Sequence, residues 1–282
     1  MNFFTPICNF QIDPPIKWMK MSKLKLRPIS EAQALRYFGV KREFDKKGRL
    51  IHMSRSTDEP APFDSPGILT EFQKLNVYAS NYAFVSDLDD SKEHGREIWF
   101  MLNAFWMSKL HGVTCPTTFD NNLGQYFMPP MESKLDKTSI FSKSELRKIA
   151  RVMKVVPKCK QDDLKLLRLV VEHGSSILSL VFLVMIVERI IMRGERGEIA
   201  FKVRLYAAKL LSKHFHFAEE KVFDTLKLAY DLRSDFIHSG RMSQTSVSEV
   251  FPILYDYATE LLIINAKHLN QGNSLKRMLF KH

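Results

Sequence analysis

The chain has few cysteines: three in 282 residues, Cys8, Cys115 and Cys159, odd in number and far apart. That excludes a disulfide framework and the paired spacing of a zinc finger, and points to a reducing compartment, the cytoplasm. Long apolar runs are missing too. The longest, residues 177–187, is interrupted by Ser179 and followed by Glu188 and Arg189. It falls short of the ~18 residues of a membrane span, so it reads as a buried core helix, and no membrane partner is expected. Residues 1–10 lack the basic start and continuous apolar stretch of a secretory signal. No internal repeat or low-complexity tract occurs. Metal-ligand spacings are also absent. The cluster Asp87, Asp89 and Asp90 lacks the Gly and terminal Glu of a calcium loop, and His214 and His216, two apart on a helix, point to different faces. No metal and no cofactor are expected.

What is present is the composition of an ordinary globular chain, 45% hydrophobic and 26% charged, long enough for two domains. The net charge of +11 is uneven, with +6 in residues 1–60, −4 in 61–140 and +9 in 141–282. A basic chain attracts polyanions such as RNA, DNA or an anionic membrane surface without choosing among them, and a solvated Lys-rich surface is the alternative.

Residues 1–28, with Lys17, Lys20, Lys23, Lys25 and Arg27 around Trp18, read as a basic extended arm. Residues 29–130 read as a small mixed α/β domain of unassigned role. It has a helix over 30–38 capped by Ser30 and stopped by Gly39, a strand over 49–53 after a turn at 45–48, and a Pro-rich loop over 56–67. A strand over 76–86 and a helix over 97–110 carrying Trp99 and Trp106 complete it. The Pro, Asn and Gly content of residues 115–138 places the domain boundary there.

Helices follow to residue 268. The first opens on a Ser142-Lys143-Ser144-Glu145 capping box and ends before Pro157. The last, predicted over 248–268 with Pro252 in its first turn, carries Val250, Leu254, Tyr257, Leu261 and Ile264 in a seven-residue rhythm, a packing or dimer seam. The fold class is therefore α+β overall. An all-α bundle over 141–270 follows the smaller mixed domain, and 271–282 form a short basic tail.

One stretch carries chemistry. Over residues 223–240 the apolar positions Phe223, Leu226, Tyr230 and Ile237 keep helical spacing, and Arg233 takes a slot in that stripe where a core places Leu. A guanidinium there needs an acceptor, a carboxylate or a phosphate. His238 follows five residues later, about 140° around an ideal helix, so the two converge if the helix ends or bends between them. Gly240 suits a helix stop. Glu188, the carboxylate that closes the longest apolar run, is the natural partner of Arg233 inside the bundle. A dry pair of that kind loses about 3–5 kcal/mol when one member is removed. The alternative is a Glu188 that rides the solvent face of its helix.

Residues 195–241 resemble the Apea-like branch of the HEPN domains. The residues that carry the likeness are Glu198-Ile199-Ala200, Lys202, Ala208 with Leu210-Leu211, Tyr230, Arg233-Ser234 and His238, and upstream the apolar run ending Val187-Glu188-Arg189 is similar to that family's apolar helix ending in Glu. The resemblance spans roughly residues 141–269. It implies a HEPN-like helical bundle and a metal-independent endoribonuclease, a toxin or anti-phage effector that cuts RNA. In such families an Arg-x4-6-His motif from each protomer of a homodimer meets in one cleft. The Arg then holds the scissile phosphate and the His transfers protons. It makes Arg233 and His238 the catalytic candidates, Ser234, Glu188 and Tyr230 their supports, and Arg241, Lys202 and Lys227 contacts to nucleic acid. One departure is Ser234, where active members carry Asn, Asp or His. It keeps open a non-catalytic module that binds RNA or a partner protein such as an antitoxin, and beyond that a helical interaction protein.

Overall fold

The computed structural model describes residues 2–45, 50–55, 69–128, 133–135, 138–192, 199–240, 244–268 and 279. The turn expected at 45–48, except Asp45, the loop at 56–67 and the basic tail, except Leu279, lie outside them. The chain divides into two compact units, Met1–Leu102 with Gly112–Ser133 and Lys137–Ala150, and Asn103–His111 with Lys134–Asp136 and Arg151–His282. The architecture is α+β, with a six-stranded sheet in the first unit and helices in the second.

The first unit begins with strands β1 (Phe3–Ile7), β2 (Phe10–Ile12), β3 (Met19–Met21) and β4 (Leu24–Pro28), then helix α1 (Glu31–Phe38), β5 (Val40–Phe44), β6 (Leu50–Arg55), α2 (Glu71–Tyr78) and β7 (Tyr82–Ser86). Helix α3 (Ser91–Ser108), which passes into the second unit from Asn103, β8 (Thr117–Asp120), β9 (Gln125–Phe127), β10 (Ser139–Phe141) and α4 (Lys143–Met153), which passes into it from Arg151, follow. The main sheet has the order β3-β4-β7-β1-β8-β9, antiparallel throughout. An antiparallel pair of β5 with β6 and a parallel pair of β2 with β10 complete the strands among the described residues.

Residues 1–28 are thus not an arm. All of β1 is buried, and in β4 the apolar Leu24 and Leu26 alternate with Lys25 and Arg27 at the period of a strand. On one face Phe4 stacks on Tyr37 of α1 at 4.3 Å, within a core that includes Phe38, Val77, Val85 and Phe119. On the other, Phe3 stacks on His94 of α3 at 4.7 Å. The predicted strand over 76–86 is β7 only in its second half. Its first residues finish α2, where Thr70 and Gln73 form a capping box and Val77 is buried. The expected boundary at 115–138 also fails as a linker, because β8 pairs with β1 and Phe141 of β10 pairs with Ile12.

His94 is buried with both ring nitrogens occupied, Nε2 by the Thr5 hydroxyl and Nδ1 by that of Ser86, each at 2.8 Å. Burial pushes its pKa from 6.5 down to about 4, and His111, buried in the second unit, is lowered to about 4 for the same reason. These imidazoles stay neutral in the fold while the unfolded chain takes up protons. Their contribution is therefore complete above pH 6.5 and is lost as pH falls toward 4, at a cost of ~3 kcal/mol per histidine by pH 4. The urea midpoint is expected to drop over that window, and to drop less in His94→Gln, which cannot titrate; equal drops contradict this account.

The second unit holds α5 (Gln161–His173), α6 (Ile177–Ile191), α7 (Ile199–Phe215), α8 (Glu219–Ser239) and α9 (Gln244–Lys267) after a short 3-10 turn at Val156–Lys158. Helix α6 touches α5, α7, α8 and α9, which is why it is apolar nearly all round. The rhythm of α9 is internal packing and not an open seam. Val250, Leu254, Tyr257, Leu261 and Ile264 are all buried, and Tyr255 donates to the Trp106 carbonyl at 2.8 Å. Because α9 starts at Gln244, Pro252 lies two turns inside it, on the exposed side. Among the described residues no helix is long and apolar enough to cross a membrane.

Candidate functional site

Helix α8 is organised by the stripe Val222, Leu226 and Ala229, all buried at steps of four and three. The next slot is Arg233. Its two last turns leave the core, so Ile237 is 54% exposed and His238 is exposed as well. The helix does not end or bend between Arg233 and His238. It runs to Ser239 and is closed by Gly240, which takes the left-handed conformation at φ 65° and bonds back to the Phe236 carbonyl.

Across from α8, the end of α6 presents Glu188. Its Oε1 accepts from the Tyr230 hydroxyl at 2.9 Å and from Arg233 Nη1 at 3.1 Å. The pairing expected from the sequence is present, but not in a dry interior, because the Arg233 and Glu188 side chains are 28% and 21% exposed. Solvent on both partners reduces the expected loss on breaking the pair to about 1–2 kcal/mol. Burial, and then the Glu188 charge, raise the Tyr230 pKa, so its phenol remains a donor to the carboxylate. Arg233 spends one donor on Glu188; its Nε is buried out of a ligand's reach, and its Nη2 makes no hydrogen bond among the described residues. That leaves donors for an incoming anion.

These side chains line one open cleft of about 860 Å³, together with Ser234, Ile237, His238, Lys160, Asp163 and Arg189. The volume lies at the upper end of the range typical of ligand sites. Ser234 and His238, four apart, share a face of α8, and the longer Arg233 side chain reaches the same cleft from one side. Among the described residues nothing hydrogen-bonds the His238 imidazole. Arg204 of α7, held by its Nε bond to the Ala200 carbonyl at 3.0 Å and lying 4.9 Å from the Phe223 ring, adds a positive charge that works against the rise of the Tyr230 pKa.

Of the residues read from the sequence, Arg233, His238, Ser234, Glu188 and Tyr230 are brought together. Lys202 and Lys227 are not among the lining residues, and Arg241 lies outside the described residues. The sequence reading missed Lys160, Asp163 and Arg189. The available signal for Arg189 was its place directly after Glu188, a second charge at the end of the most apolar helix. For Asp163, buried at 1% exposure, no local signal separates it from its exposed neighbour Asp162.

Comparison of the chain with protein-family models, with curated proteins and with solved structures finds no match.

Proposed function

We propose that the second unit is a HEPN-like, metal-independent endoribonuclease of the Apea-like kind, acting on RNA as a homodimer in a toxin or anti-phage role in the cytoplasm. The observation that supports it most is the meeting of Arg233 and His238 in one open cleft, with the guanidinium steadied by Glu188 and Tyr230.

The chemistry suits those groups. A base removes the proton of an RNA 2′-hydroxyl, O2′ bonds to phosphorus, the bond from phosphorus to O5′ breaks, and an acid returns a proton to O5′. The products are a 2′,3′-cyclic phosphate and a free 5′-hydroxyl. His238 exchanges protons near neutrality, and Arg233 offers its remaining donors to the phosphate oxygens. One protomer offers a single imidazole, whereas the reaction uses a base and an acid at once, so two protomers facing each other complete the set. The exposed Ile237 beside His238 is the apolar surface such a partner would cover.

A non-catalytic RNA-binding module is the second reading. It is favoured by Ser234 after the Arg and by a His238 that nothing orients among the described residues. The two readings separate when purified protein is incubated with total cellular RNA in excess EDTA. Cleavage that persists supports the nuclease; retention of RNA without cleavage supports the module.

A further inference from the structure

We propose that the cleft holds two consecutive phosphates of a single RNA strand, the first at Arg233 and the second at Arg189 with Lys160, so that its ligand is an oligonucleotide and not a mononucleotide. The proposal rests on the reading of the cleft as an RNA site and names the substrate class that site takes.

Helix α6 ends on two adjacent charges that do opposite jobs. Glu188 is a carboxylate that fixes a guanidinium from α8. Arg189 is a guanidinium fixed by a carboxylate from α5. Its Nε donates to Asp163 Oδ1 at 2.7 Å, and its Nη2 lies 3.7 Å from Asp162 Oδ2. The Asp163 side chain is 2% exposed and that of Arg189 is 42% exposed, so the anchor is inside and the cation faces outward. Nη1 makes no hydrogen bond among the described residues. The cleft is thus lined by two arginines, each steadied by its own carboxylate and each keeping donors for an anion.

Lys160 adds a third cation on the Arg189 side. It is exposed and precedes the first turn of α5 as its cap residue, and although its backbone carbonyl accepts from the Asp163 and Leu164 amides, its side chain has no hydrogen bond or ion pair among the described residues. A pair that served only to tie α5 to α6 gains nothing from an exposed Arg and an idle Lys on the same wall. Asp163 is already favoured without Arg189, because it sits in the first turn of α5, at the positive end of the helix dipole. Helix α5 moreover buries Leu164, Leu167, Val170 and Val171 in the core. One phosphate at Arg233 leaves Arg189 and Lys160 facing solvent in a cleft of about 860 Å³. A second phosphate on the same strand uses both.

The test measures binding of a 2′-O-methyl RNA oligonucleotide, which cannot be cleaved, to the full chain by fluorescence anisotropy across a salt series. Arg189→Gln and Lys160→Ala are each expected to weaken binding about fivefold at low salt, and Arg189→Gln to lower the salt slope by about 0.7, the loss of one single-strand phosphate contact. Neither should change the affinity for a nucleoside 3′-monophosphate, which fills the Arg233 position alone. Lys160→Ala removes an exposed, unpartnered side chain, so it decides the matter if Arg189→Gln unfolds. If both variants bind the oligonucleotide as wild type does while Arg233→Gln loses affinity, the second phosphate position is wrong and the RNA reading stands. If the wild type does not bind the oligonucleotide, the RNA reading falls and the proposal with it.

Discussion

His238→Ala is expected to slow RNA cleavage by about 10²–10⁴-fold, the usual worth of a positioned acid or base. The fold and the affinity for RNA should stay close to wild type. The side chain is exposed on the last turn of α8 and makes no hydrogen bond among the described residues, so its truncation leaves no buried group unpaired. Stability should therefore change by no more than about 0.5 kcal/mol. On expression in cells the same substitution should relieve any growth inhibition that the wild type causes. The separation of rate from affinity is the informative part, since a residue that only helped to hold RNA would lose both together. A chain that remains monomeric at micromolar concentration and cleaves RNA as a monomer would remove the two-protomer part of the account.

Arg233→Ala should weaken binding and cleavage together, and more than Arg241→Ala does, because Arg233 is the guanidinium placed against the scissile phosphate. Its effect on stability follows from geometry. Removing Arg233 leaves Glu188 with the Tyr230 hydroxyl, and removing Glu188 leaves a partly buried guanidinium with no carboxylate. Each single change is expected to cost about 1–2 kcal/mol, reduced from the fully buried case by the exposure of both partners. The double change to apolar residues should cost less than the sum, with a coupling of at least about 0.5 kcal/mol in urea denaturation. Additive effects of a few tenths would mean that the 3.1 Å contact does not steady Arg233.

The parts of this fold that were legible in the sequence are those set by neighbours along the chain. Ser30 with Gln33, and Ser142 with Glu145, cap their helices through side chains three residues away, and Gly39 and Gly240 close helices by conformations that a side chain disfavours. The pairing of Glu188 with Arg233 was legible for another reason. A charge placed in an apolar stripe needs an opposite one, and Glu188 stands out as the carboxylate that closes the longest apolar run.

The sheet was not legible, because its register depends on partners far apart in sequence. Phe3 pairs with Ser86 on one side and Asp120 on the other. The lysines of residues 17–27 drew the reading toward an arm, although Leu24 and Leu26 on either side of Lys25 already had the period of a strand. The contact of Asp163 with Arg189 likewise joins two helices through their tertiary packing. It was invisible until α5 and α6 were placed side by side.

The central claim is that Arg233 and His238 cut RNA by transesterification without a metal. The most direct measurement is the chemistry of the RNA ends left by purified wild type and by His238→Ala in excess EDTA. The account predicts 2′,3′-cyclic phosphate and 5′-hydroxyl ends from the wild type and no such products from the variant. Equal cleavage by His238→Ala, or products that end in 5′-phosphate and 3′-hydroxyl, would contradict it.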